Sequence, residues 1–222
     1  MRAASLIKLF IMVSVFEKIS AGHIDPDEAV SFSESERVNG AGLLQHLSAG
    51  TARTILELID LMITESDNIA TNLLIDRIGM DSVNSRIQCL GYKDTKLCRR
   101  MMDFDAAAAG RENHTSVMDT AQLLDQIHRT SCIDKVADTA MIRILERQTD
   151  RCKIPLLLPQ GTICQHKTGE LPGAEHDAGI VYSPAGPYVL SVMSDGLPDP
   201  ERGRQVVANL SRAVYDWFCL PE

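Results

Sequence analysis

The chain has 222 residues, 45% of them hydrophobic and 23% charged, with a net charge of −8. These are the proportions of a soluble globular protein with enough apolar side chain for one large domain or two intimately packed ones. The acidic balance and the lack of any lysine/arginine stripe argue against nucleic acid as a partner.

The first informative stretch is AASLIKLFIM, residues 3–12. It could be the apolar run of a secretion signal, with Met1-Arg2 as the basic start and Ser20-Ala21-Gly22 as a cleavage site. Lys8 speaks against that, since a lysine in the middle of such a run costs roughly 3 kcal/mol on insertion scales. The run is also too short and too charged to span a bilayer. Residues 4–19 are apolar on nearly all sides, the pattern of a helix buried in the protein centre. A lysine inside it needs either a specific partner or a path to the helix end. Ser5, three residues earlier, lies on the same helical face.

Further along, Asp25-Pro26-Asp27-Glu28-Ala29 reads as a cap opening a short helix. A helical stripe of Ile55, Leu58, Ile59 and Met62 predicts a helix within residues 51–65. Helices over 69–79 and 81–91 follow, each closed by a glycine. Residues 92–115 read as irregular. Thr115 to Asp119 looks like a capping box for a helix running to about Arg129, and residues 138–148 form the next helix.

The pattern then changes to strands at 162–170, 177–183 and 188–195, with a hairpin turn at Pro184-Ala185-Gly186-Pro187. Residues 200–218 predict a closing helix with Val206, Val207, Leu210, Val214 and Trp217 on one side. A mainly helical part (1–160) followed by an antiparallel meander and a helix (161–222) defines an α+β architecture. Three strands are few for such a sheet and leave an exposed edge.

Six cysteines show no C-x-x-C pair, and six isolated histidines form no H-E-x-x-H. No metal and no cofactor is therefore expected. Free, mostly buried thiols are expected too, which suits a reducing setting.

Three short motifs carry possible chemistry. Ser5–Lys8 is the one S-x-x-K of the chain, Ser66-Asp67-Asn68 the one S-D-N, and Lys167-Thr168-Gly169 the one K-T-G. Each has a plain structural reading alone: S-D-N can simply cap a helix. A glycine inside a strand is less easily dismissed, because it weakens the strand and often marks the close approach of another group.

In this order the three motifs resemble those of the class A β-lactamase-related serine hydrolases. The likeness covers nearly the whole chain, through LMITESDNIATNLL and HKTGELPGAEHDAGIVY. It implies a class A β-lactamase-like fold, with S-x-x-K on the buried central helix of an all-α subdomain. In that family a preceding helix and two strands complete a five-stranded sheet, and export signals lie before them. The chain as written begins almost at the nucleophile, so a sheet reduced to three strands is expected. The family implies export to the cell envelope, whereas the chain as written shows no signal peptide and reads as cytoplasmic.

By the same resemblance Ser5 is the nucleophile and Lys8 the adjacent base or electrostatic activator. Ser66 relays a proton to the leaving nitrogen. Asn68 bonds the substrate and holds Lys8, while Asp67 orients the loop. Lys167 and Thr168 bind the substrate carboxylate, and Gly169 lets the substrate lie along the strand. The backbone N–H groups of Ser5 and Glu170 form the oxyanion hole. The substrate is a small β-lactam or peptidoglycan-like peptide, and a monomer is expected.

One departure stands out. With Arg99 placed as the arginine that opens the family's active-site loop, the position of the deacylating glutamate falls on Met101, and the usual E-x-x-L-N is absent. Asp103 and Glu112 are the nearby acids, each a candidate base or an ordinary surface carboxylate. The competing expectations are a β-lactamase, a penicillin-binding or peptidase-like protein with slow release, and an inactive remnant lacking its N-terminal part.

Overall fold

A computed structural model describes residues 1–220. Its centre is α1 (Ile7–Ser20), in which Ile7 to Phe16 are all buried, Lys8 among them. A short 3-10 turn, Ala4–Leu6, leads into it, so the S-x-x-K pair straddles the junction between turn and helix. Wrapping a helix on every side is what its unbroken apolar sequence requires.

Around α1 stand α2 (Ile55–Thr64), α3 (Asn68–Ile78), α4 (Met80–Cys89), α6 (Val117–His128) and α7 (Lys135–Glu146), with a five-residue α5 (Phe104–Ala108) in the segment read as irregular. The capping residues set the starts. Thr54 and Glu57 close a reciprocal capping box on α2, Asp67 caps α3, and Ser116 caps α6. Asp134 caps α7, which begins three residues before the predicted start.

The short helix expected after Asp25 does not form. Ala29–Ser31 is instead a strand, β1, paired antiparallel with β2 (Ala52–Thr54). The Asp25 carboxylate takes the Asp27 N–H into a turn, and Ile55 N–H bonds Glu28 O, so the backbone groups are satisfied across strands rather than along a helix.

The second sheet has the order β3 (Cys164–Leu171), β4 (Ala174–Ser183), β5 (Gly186–Met193), all antiparallel. The three expected strands are there, and among the described residues no further strand joins them. β4 starts three residues earlier than its sequence suggests because its charged residues are buried with partners. Glu175 meets Lys153 and Arg204, the His176 Nε2–H donates to Arg2 O, and Asp177 accepts from Ile154 N.

Helices α6 and α7 pack on the sheet from the α1 side, and α8 (Pro200–Phe218) packs on β4. The face of α8 differs from the predicted stripe. Gly203, Val207, Ala208, Ser211 and Tyr215 face inward, whereas Val206, Leu210 and Trp217 are exposed. Small side chains let the helix approach the sheet, and Ser211 Oγ donates to Ile154 O at 2.9 Å, which fixes the rotation. All six cysteines are free thiols. Among the described residues no helix is long and apolar enough to cross a membrane.

Candidate active site

A cavity of about 400 Å³ opens between the N-terminus of α1, the start of α3, the outer edge of β3 and the 98–113 loop. Ser5 reaches it from a strained turn. Ala4 holds φ 47°, a left-handed conformation that costs a non-glycine residue energy. Ala4, Ser66 and Met102, three of the four such residues among those described, all line this cavity. Gly169 sits directly beside the turn, where a Cβ would come 3.2 Å from both Ala4 Cβ and Ser5 N. The strand glycine is thus explained by close packing of β3 on the Ser5 turn.

Two of the other predicted residues, Ser66 and Asn68, meet Lys8. Its Nζ, fully buried, lies 2.6 Å from Ser66 O, 2.9 Å from Asn68 Oδ1 and 3.2 Å from Ser66 Oγ. Burial, and then the positive charge of Lys167, push its pKa well below the usual lysine value, while Asp67 opposes them. All three contacts of the amine are thus made to the S-D-N turn.

Lys167 comes to the same hydroxyl from β3. Its Nζ donates to Ser66 Oγ at 3.0 Å and to Thr168 O at 2.9 Å. Burial and the nearby Lys153 ammonium lower its pKa to about 7, against the pull of Asp177, Asp150 and Glu170. Ser66, at φ 54°, therefore presents one hydroxyl to two amines.

The S-D-N turn is itself held tightly. Asp67, fully buried, accepts Ala70 N–H as a helix cap and Leu44 N–H at 2.7 Å, so it is bound to backbone rather than open to the cavity. Gly42 packs over it, and a Cβ there would come 2.4 Å from the Asp67 carboxyl carbon. Nothing in the spacing of the motifs pointed to Gly42.

The 98–113 loop forms the opposite wall. The Asn113 side chain ties its two ends together, accepting from Cys98 N and Arg99 N and donating to Arg99 O. Arg99 and Glu112 pair at 2.8 Å across the same neck. Glu112 lines the cavity but is neither a free base nor a solvated surface acid. Asp103 is exposed, caps α5 through Ala106 N–H, and is not among the cavity-lining residues. Met101 lines the cavity, its backbone held on both sides by Asn72: Met101 N donates to Oδ1 at 2.8 Å, and Nδ2 donates to Met101 O at 3.2 Å. Asn72, one helical turn after Asn68, went unnoticed in the sequence because its partner is 29 residues away.

Thr168, Gly169 and Glu170 line the remaining side at the edge of β3. Behind them Lys153, fully buried, contacts Glu170 at 2.8 Å, Glu175 at 3.0 Å and Asp150 at 3.7 Å. Asp150, Cys152 and Glu170 bring three donor atoms within 4.8 Å of one another. A metal ion there would face the Lys153 ammonium, so lysine already serves as the cation of that cluster.

A serine on the turn before the apolar helix, a buried amine on that helix and a second lysine on a strand edge thus gather at one cavity, the two amines sharing the Ser66 hydroxyl. The profile of the β-lactamase enzyme family matches residues 1–218, and the chain belongs to that family. It is 32% identical to a β-lactamase from Sphaerobacter thermophilus, whose crystal structure superposes with a TM-score of 0.93 over 100% of this chain and 85% of that one. It is also 32% identical to PBP-A, with a TM-score of 0.89 over 97% of this chain and 80% of that chain. A variant of PBP-A is known as an acyl-enzyme complex with penicillin G. Among curated proteins, the extended-spectrum β-lactamase PER-1 of Pseudomonas aeruginosa is 23% identical over 96% of this chain and 74% of its own length.

Proposed function

We propose that the protein is a serine hydrolase of the class A type that opens β-lactam amides through an acyl-enzyme on Ser5. The observation that carries this reading is the meeting of three motifs, far apart in sequence, at one hydroxyl: Ser66 Oγ lies 3.2 Å from Lys8 Nζ and 3.0 Å from Lys167 Nζ. Neutral Lys8 takes the Ser5 proton as Oγ bonds to the lactam carbonyl carbon. The carbonyl oxygen collects negative charge between the backbone N–H groups of Ser5 and Glu170. When the C–N bond breaks, the proton reaches the leaving nitrogen from Lys8 through Ser66. Asn68 positions Lys8 and the substrate, and Lys167 with Thr168 and Gly169 receives its far end along β3.

Release is the slower half. Hydrolysis of the ester needs a base to align water, and Met101 stands where the family resemblance puts that base, while Glu112 is engaged by Arg99. This supports the penicillin-binding, slowly releasing form of the same chemistry as the second reading. Incubation with a labelled penicillin, followed by peptide mapping, tests the proposal. The label should map to Ser5, and Ser5→Ala should take none. Label on another residue, or undiminished label in the mutant, overturns it.

A further inference from the structure

The 98–113 loop is apolar where it meets the cavity. Met101, Met102 and Phe104 line it, and the one acid of the loop that does so, Glu112, is engaged by Arg99. Neither Met102 nor Phe104 sits where packing alone would put it. Met102 holds φ 63°, a left-handed conformation that is costly for a methionine. Asp103 caps the five-residue α5, which buries Ala106 and leaves its one large apolar side chain, Phe104, 60% exposed at the cavity. Met102 O accepts the Phe104 N–H at 3.0 Å in the turn between them. A thioether and an aromatic ring are thus held together as apolar surface with no apolar partner.

Gly40 shows how this patch meets the substrate. The Asn68 side-chain amide donates one N–H to Asn39 O at 3.3 Å, which leaves the other for a carbonyl of the substrate that Asn68 positions on the reading above. A Cβ on Gly40 would lie 2.7 Å from Asn68 Nδ2 and 3.2 Å from Met102 Sδ, so amide and thioether are neighbours. Gly40, at φ 101°, and Ala41 line the cavity here and leave the space open. A group attached to the carbonyl that Asn68 holds is therefore delivered to the loop wall, away from the β3 wall where Lys167 and Thr168 take the carboxylate.

We propose that Met102 and Phe104 form a subsite for an aryl group, so that the protein prefers acyl donors whose side-chain amide carries an aromatic substituent. The inference rests on the Ser5 acyl-enzyme reading and names its substrate class. The preference comes from apolar area removed from water and from contact between sulfur and the ring. Arg99, the one cation of this loop that lines the cavity, is taken by Glu112, so a carboxylate in the same place would lose its water without gaining a partner.

Two penicillins provide the test: benzylpenicillin, and the analogue with an acetyl group in place of its phenylacetyl group. They share the ring, the carboxylate and the side-chain amide, and differ only in the phenyl group. Second-order rates of Ser5 acylation are read by intact mass for the wild type, Phe104→Ser and Met102→Asn, each divided by the compound's rate of hydrolysis in hydroxide to remove ring reactivity. Phe104 is exposed, so its replacement removes no core packing, and asparagine tolerates the left-handed conformation of residue 102. Wild type should favour benzylpenicillin by about tenfold or more, and each variant should lower that ratio several-fold, chiefly by slowing benzylpenicillin. A wild-type ratio near one, or a ratio that neither variant lowers, overturns this inference while leaving the serine chemistry intact. Failure of both compounds to acylate Ser5 overturns the inference together with the reading beneath it.

Discussion

The two walls of the cavity are built differently. On one side, Ser5, Lys8, Ser66 and Lys167 hang from a turn and its buried helix, a capped turn and a strand, and the amines of Lys8 and Lys167 both bond the Ser66 hydroxyl. On the other, the 98–113 loop holds its shape by fastening its neck, through Arg99–Glu112 and Asn113, and its middle, through Asn72 on Met101. It offers the cavity a thioether where the first wall offers amines and hydroxyls. A site needs a positioned base for each chemical step it speeds. The first wall has one and the second does not, so the difference predicts a protein that acylates faster than it releases.

The strongest way to break this contrast is to remove the amine. Lys8→Met keeps the chain length and apolar packing, and it should lower the acylation rate by about 100- to 10,000-fold, measured as the burst rate with a chromogenic cephalosporin. A burst that survives would show that Lys8 is not the base. The converse change supplies the missing group. Wild-type enzyme should give a burst near one equivalent and a slow steady phase. Met101→Glu should raise the steady rate by roughly tenfold or more, with less acylated protein in the intact-mass spectrum. No change would mean that the loop backbone aims residue 101 away from the ester.

Smaller effects should come from pH. Lys167 is charged below about 7 and neutral above it. Binding of a carboxylate-bearing penicillin should weaken up to about tenfold as pH rises through that value, because the cation is lost. Lys8 acts in the opposite sense: burial lowers its pKa and so favours the neutral base, and acylation should slow as falling pH protonates it. A flat profile for both binding and acylation would contradict the two assignments. The smallest effect concerns the loop alone. Asn72→Ala leaves Met101 N–H and C=O without their partner and should cost about 1–3 kcal/mol in a denaturant titration, with the burst amplitude kept. A lost burst would show that the second wall also supports acylation.

The longer helices, the three strands of the larger sheet and the three motifs were legible in the chain, because they depend on local spacing, whereas α5, β1 and β2 were not. An unbroken apolar run can only be a buried helix, and a capping serine or aspartate acts within four residues. The misreadings share one cause. Ala29 became a strand through pairing with Thr54, and β4 gained Glu175 to Asp177 through Lys153, Arg204, Arg2 and Ile154. The inward face of α8 was settled by small residues fitting the sheet rather than by the larger apolar stripe beside them.

The site divides in the same way. Ser5, Lys8, Ser66, Asn68, Lys167, Thr168 and Gly169 could be named from the likeness of three short motifs, in their order, to those of a known family, since each motif is a short run. That Glu112 closes the loop on Arg99, that Asn72 holds Met101 and that Asp150 crowds Thr168 depends on residues between 13 and 29 positions apart, brought together only by the fold. Spacing along a chain reports which side chains share a helix turn or a strand face. Which charges meet across a cavity depends on how those elements pack, and that is where the tertiary structure decided the character of this pocket.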